Sequence, residues 1–175
     1  MKLSQAWSLI RTVPDFPAPG IRFLDITPLL RDGQALRYVA AQMADARSPY
    51  SHVVGVEARG FILGAAMAIE RGVGFVPLRK AGKLPYQTIQ RSYGLEYGDD
   101  VMEAHIDALT ADDSVIIVDD VLATGGTLIA AIELIRQLGA KISEVVVLVE
   151  ITELGGRAKI AALYPEIEIR TLFSA

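Results

Sequence analysis

The sequence predicts an α/β fold, a doubly wound, mainly parallel sheet flanked by helices. Three observations predict it. Short runs rich in β-branched residues alternate with helical segments along the chain. Two of those runs, Val115 to Val118 and Val145 to Val149, contain no polar residue, as expected for strands covered on both faces. Glycines punctuate the intervening helices, with Gly60 and Gly72 bracketing one and Gly139 closing another.

In chain order, Lys2 to Thr12 reads as a short amphipathic helix. Val13 to Leu30 carries Pro14, Pro17, Pro19, Gly20 and Pro28, and the loss of backbone donors predicts an irregular loop. Asp32-Gly33 precedes a helix to about Ala46, with Leu36, Val39, Ala40 and Met43 on one face. His52 to Val56 is a strand, Phe61 to Arg71 a helix of small apolar residues, and Gly74 to Leu78 a second strand. Val115 to Val118 is the third strand. Gly126 to Leu138 is a helix with Leu128, Ile132 and Ile135 at i, i+4 and i+7. Val145 to Val149 and Ile167 to Leu172 complete the sheet. The segment Arg79 to Ile106 interrupts this rhythm. It is long and polar, and Tyr93 to Tyr97 is expected to pair with Val101 to Ile106 across Gly98-Asp99-Asp100. A long excursion inside a compact α/β domain is usually functional.

The 175 residues suit one domain, 1–175, without internal repeat or linker. The absence of cysteine excludes a thiolate nucleophile, a zinc–thiolate site and an iron–sulfur cluster. No leader and no apolar stretch of the ~20 residues a membrane span needs is present, so a cytoplasmic protein with no membrane partner is expected. The formal net charge of −4 argues against a surface that grips nucleic acid. That charge is uneven. Arg71 to Leu95 holds five basic residues and no acidic one, leaving 12 basic against 21 acidic residues elsewhere. The basic segment suits an anionic ligand.

The most informative stretch is Val115-Ile116-Ile117-Val118-Asp119-Asp120-Val121-Leu122-Ala123-Thr124-Gly125-Gly126-Thr127. A buried strand ends in two carboxylates, and a Thr-Gly-Gly-Thr turn then opens a helix. Ligands of open α/β sheets sit at the carboxyl ends of strands. The first helical turn offers unpaired N–H groups and a positive dipole end, which suit a phosphate. Two carboxylates beside a phosphate need another partner, either sugar hydroxyls or a divalent cation, and a ribose phosphate with Mg²⁺ supplies both. A P-loop is excluded because Gly82-Lys83 is followed by Leu84. A dinucleotide fingerprint is excluded because Pro77 stands where Gly72-Val73-Gly74 would need its third glycine.

This string resembles the phosphoribosyl-diphosphate (PRPP) motif of the type I phosphoribosyltransferases. Four further stretches are similar to the adenine phosphoribosyltransferase family: Phe16 to Leu30, Glu57 to Phe61, Arg79 to Pro85 with Tyr93 to Gly98, and Val149 to Arg157. The resemblance implies a type I phosphoribosyltransferase fold in which residues 1–30 form a base-binding hood and 79–106 a mobile catalytic hairpin loop. It implies transfer of the 5-phosphoribosyl group of PRPP to N9 of adenine, giving AMP and diphosphate through an oxocarbenium-like transition state, in a homodimer that uses Mg²⁺.

By the same resemblance Ala123, Thr124, Gly125, Gly126 and Thr127 hold the 5′-phosphate, while Asp119 and Asp120 accept the ribose hydroxyls. Arg59, Arg79, Lys80 and Lys83 engage the diphosphate. Phe23 stacks on adenine with Val121 on the opposite face, and the backbone of Arg22 and Leu24 reads the base edge. Glu96 is the acid/base near the base, and Mg²⁺ is held mainly by the substrate, with no direct protein ligand. Many family members have arginine where this chain has Leu24. His52 and His105 receive no role. Two rival readings are another purine phosphoribosyltransferase and a PRPP-sensing regulator; the second would need a DNA-binding segment for which one domain of this length leaves no room.

Overall fold

The protein is described from a computed structural model covering residues 1–93 and 100–175. Five parallel strands form the centre of the sheet: β3 (His52–Val56), β4 (Gly74–Lys80), β7 (Ser114–Leu122), β8 (Lys141–Glu150) and β9 (Ile169–Ser174). The antiparallel strands β5 (Thr88–Tyr93) and β6 (Asp100–His105) extend it on the β4 side, in the order β5-β6-β4-β3-β7-β8-β9. A separate antiparallel pair, β1 (Arg11–Pro14) and β2 (Arg22–Asp25), lies N-terminal to it.

Strand periodicity divides the core into two halves. In β7, Val115 and Ile117 join one apolar cluster, and Ile116 and Val118 the other. In β8, Val145 and Val147 separate from Val146 and Leu148 in the same way. Each such fully buried side chain contributes about 1.5–3 kcal/mol of hydrophobic stabilisation, which is why the aliphatic runs occupy the sheet centre. Helix α5 (Gly126–Leu138) covers the first cluster with Leu128, Ile132 and Ile135. The helices α3 (Gly33–Ala44) and α4 (Arg59–Arg71) cover the second with Val39, Met43, Leu63 and Met67. The Asp32 side chain caps α3, accepting from Gln34 N at 3.0 Å and Ala35 N at 2.9 Å.

Several boundaries correct the sequence reading. The N-terminal helix, α1, spans only Leu3–Trp7, and Arg11–Pro14 is a strand because Thr12 and Val13 pair with Leu24 and Phe23. The segment expected to be an irregular loop therefore contains β2, and also the short helix α2 (Thr27–Arg31). Its prolines do not prevent this. Pro14 ends β1, Pro17 and Pro19 lie in the connection, and Pro28 sits in the first turn of α2, where no N–H is required. β7 does not end at its carboxylates but runs through Asp119 and Asp120 to Leu122, paired with β8 along its length apart from a register shift between Val115 and Ile116. The strand paired with β6 is Thr88–Tyr93, so Val101 stands opposite Ser92, with Ile89 and Tyr93 packed against the core and Tyr93 opposite Asp100; of the expected Tyr93–Tyr97 strand, residues 94–97 lie outside the described residues. Among the described residues no helix is long and apolar enough to cross a membrane.

Candidate active site

The carboxyl end of β7 places Asp119 and Asp120 in the interior, 9% and 5% exposed. The Asp119 carboxylate accepts from the Asp120 backbone N–H at 2.8 Å. Burial, reinforced by the adjoining Asp120 charge, pushes Asp119 well above the ordinary carboxylate range. Burial also raises Asp120, against the opposing pull of Arg59.

Arg59, the first residue of α4, links three parts of the site. Its Nε lies 2.9 Å from Asp120 Oδ2. That N–H is not aimed at the oxygen, and Oδ2 has no hydrogen-bond partner among the described residues, so the contact is coulombic. Arg59 Nη1 donates to the Leu24 carbonyl at 3.1 Å, and the guanidinium carbon stands 4.7 Å from the Phe23 ring centroid. Phe16 meets Phe23 edge-on at 5.1 Å. Leu24 buries its side chain in the core and presents its carbonyl to Arg59, so it is the main chain of this residue that faces the site. Arg22 is exposed, 3.9 Å from Glu153.

Beyond the strand, Val121 to Leu128 line one pocket that contains all of Ala123, Thr124, Gly125, Gly126 and Thr127. Gly125 caps α5 with φ +84°, a conformation a side chain would strain. Its neighbour across the junction is Gly156, the first residue of α6 (Gly156–Leu163). A Cβ on Gly156 would stand 2.3 Å from the Ala123 carbonyl oxygen and 2.9 Å from Gly125 N. The pocket therefore owes its shape to a second helix terminus as well as its own glycines. Gly155-Gly156 was the available signal in the sequence, but nothing in it shows what the pair packs against.

Arg79, Lys80 and Lys83 lie on β4 and the bend after it. Arg79 is paired with Glu57, Nη2 to Oε1 at 3.0 Å, and donates from Nη1 to the Lys83 carbonyl at 3.1 Å. The Arg79 hydrogen bonds hold the Glu57 carboxyl below its ordinary range despite partial burial. Lys80 lies 3.3 Å from Asp100. The described carboxylate partners of Arg79 and Lys80 are thus Glu57 of the β3–α4 loop and Asp100 of β6 rather than the Asp119–Asp120 pair. Tyr93, at the end of β5, is raised by burial and further by the charge of Asp100, against the opposing pull of Lys80. Glu96 lies outside the described residues. Glu103, which holds the basic loop, carried no sequence signal, and Glu57 was legible only as part of the Glu57–Phe61 stretch and not by its partners, because their donors are backbone N–H groups and residues distant in sequence. No group of three or more potential protein ligands for a metal ion occurs among the described residues.

A phosphoribosyl transferase domain model matches residues 29–167. Adenine phosphoribosyltransferase of Streptomyces clavuligerus is 51% identical over 163 residues, covering 92% of this chain and 92% of that protein. The crystal structure of adenine phosphoribosyltransferase from Thermoanaerobacter pseudethanolicus superposes with a TM-score of 0.93 at 43% identity, covering 99% of this chain and 100% of that one. The Saccharomyces cerevisiae enzyme, solved with adenine and an imino-altritol bisphosphate, gives 0.89 at 36% identity, with 97% of each chain covered. Sequence and fold agree, and the chain belongs to the adenine phosphoribosyltransferase family.

Proposed function

We propose that the protein is a purine salvage enzyme that transfers the 5-phosphoribosyl group of PRPP to N9 of adenine, releasing diphosphate and forming AMP. The observation that carries the reading is the continuity of β7 with its pocket. Two buried carboxylates, one with an oxygen that has no hydrogen-bond partner among the described residues, lead directly into the Val121–Leu128 pocket at a helix N-terminus. A phosphate seated on Ala123 to Thr127 would meet the free N–H groups of α5. The ribose hydroxyls would then fall to Asp119 and Asp120, and the unpartnered Oδ2 of Asp120 is a ready acceptor.

In the reaction the N9 lone pair forms a bond to ribose C1 while the bond from C1 to the diphosphate oxygen breaks, and the N9 proton leaves the base. Positive charge grows on the ribose, and the Asp119–Asp120 pair supplies negative potential beside it. Arg59 swings its charge from Asp120 to the departing diphosphate, vacating the face of Phe23 for the base. Arg22 and Leu24 read the base edge through the main chain, with Val121 on the face opposite Phe23. Arg79, Lys80 and Lys83 add positive charge at the diphosphate, and Glu96 handles the proton. Mg²⁺ would be held mainly by the diphosphate and hydroxyls of the substrate, with no direct protein ligand. Carried in with PRPP, the ion would neutralise charge on the leaving group. The working form is a homodimer in the cytoplasm. Diphosphate release from PRPP, assayed with adenine and with Mg²⁺ withheld, tests the reading: release should require both.

A further inference from the structure

Glu103 lies in the middle of β6, its carboxylate buried at 2% exposure. It is in register with Gln90 on one side and Arg79 on the other, so the three side chains share one face of the sheet. Oε1 accepts from the backbone N–H of Lys83 at 2.9 Å and of Leu84 at 2.8 Å. Oε2 accepts from Gln90 Nε2 at 3.2 Å and Thr88 Oγ1 at 3.4 Å. The Lys83 peptide is thereby gripped at both ends, its N–H by Glu103 and its carbonyl by Arg79, and Arg79 is anchored in turn by Glu57.

A buried carboxylate normally takes a cation as partner. Among the described residues this one takes only backbone and neutral donors. Burial raises its pKa, but the N–H groups of Leu84, Gly82 and Lys83 outweigh that and hold it below the ordinary range, so it is ionised at neutral pH. The charge orders the bend without consuming the Lys83 ammonium, which is on an exposed residue. We infer that Glu103 is a positioning residue for PRPP: it fixes the 82–84 bend so that Lys83 and Arg79 stand ready for the diphosphate. This rests on the proposed function, and it assigns Glu103 to one substrate only.

The test is Glu103→Gln, which keeps size but turns one acceptor oxygen into a donor facing donors. The KM for PRPP should rise about tenfold, the equivalent of one lost charge-assisted hydrogen bond. The KM for adenine should stay within about twofold of wild type. Hydrogen exchange at the Lys83 and Leu84 amides should accelerate about tenfold or more. If Glu103→Gln does not fold, Gln90→Ala, which loosens Oε2 alone, should raise the PRPP KM about threefold. An unchanged PRPP KM in the folded variant, or PRPP and adenine KM rising in equal proportion, would overturn the inference, as would unaltered exchange at Lys83 and Leu84. Wild-type protein that releases no diphosphate from PRPP would overturn the proposed function instead, and the exchange measurement would still decide whether Glu103 holds the bend.

Discussion

Arg59 Nε stands 2.9 Å from Asp120 Oδ2, and the same guanidinium covers the face of Phe23. One cation thus occupies the ground proposed for the base and neutralises the carboxylate proposed for the ribose. Removing it should be felt at PRPP binding: Arg59→Ala should raise the KM for PRPP at least tenfold, since a charge-assisted contact to the diphosphate is lost. Asp120→Asn should act differently, lowering kcat about a hundredfold while changing the PRPP KM much less, because charge develops on the ribose only near the transition state. Steady-state kinetics on both variants separates these roles, and an unchanged kcat in Asp120→Asn would remove Asp120 from the chemistry.

The raised pKa of Asp119 predicts a pH-dependent stability. The folded state holds this proton more tightly than the unfolded state, where an aspartate titrates near about 3.9. Above that pH the folded protein binds more protons than the unfolded one, so Asp119 lowers stability as pH rises toward its folded pKa. Asp119→Asn keeps an acceptor for the Asp120 N–H and abolishes the titration. The variant should gain Tm relative to ligand-free wild type as pH is raised from about 4 to 7. Parallel melting curves for the two proteins would contradict this.

Gly156→Ala tests the junction of α6 with the phosphate pocket. The new Cβ would fall 2.8 Å from Leu122 Cδ1 and closer still to the Ala123 carbonyl. Relief requires α6 or the pocket backbone to move, costing about 1–3 kcal/mol by urea unfolding. The KM for PRPP should rise with it, and adenine affinity should change less.

Phe23→Ala should raise the adenine KM about tenfold and leave the PRPP KM within about twofold, because stacking a base on an aromatic face contributes about 1–3 kcal/mol. Phe23→Trp should restore most of the loss. Equal effects on both substrates would mean that Phe23 shapes the hood rather than the base subsite.

The sheet was legible because its strands are aliphatic on both faces, and the pocket because Asp119 to Thr127 is continuous in sequence. Proline misled at Val13 to Leu30, where the residues that lack donors fall at a strand end, a connection and a helix start. The hairpin register was misplaced because Thr88 to Ser92 has polar side chains on an edge strand and reads as loop. The partners of Glu57, Glu103 and Gly156 were not legible, for a common reason. Each acts on residues or backbone atoms brought near by the fold, and no local pattern records such a partner. Leu24 stands where many family members have arginine, and its side chain is buried while its carbonyl accepts from Arg59.

Diphosphate release from PRPP and Mg²⁺, measured in parallel with adenine, hypoxanthine, guanine and xanthine, tests the central claim most directly. The account predicts turnover with adenine and a kcat/KM at least a hundredfold lower with each of the other three, since main-chain groups matched to one base edge go unpaired with another. Turnover with hypoxanthine, guanine or xanthine and none with adenine would contradict it.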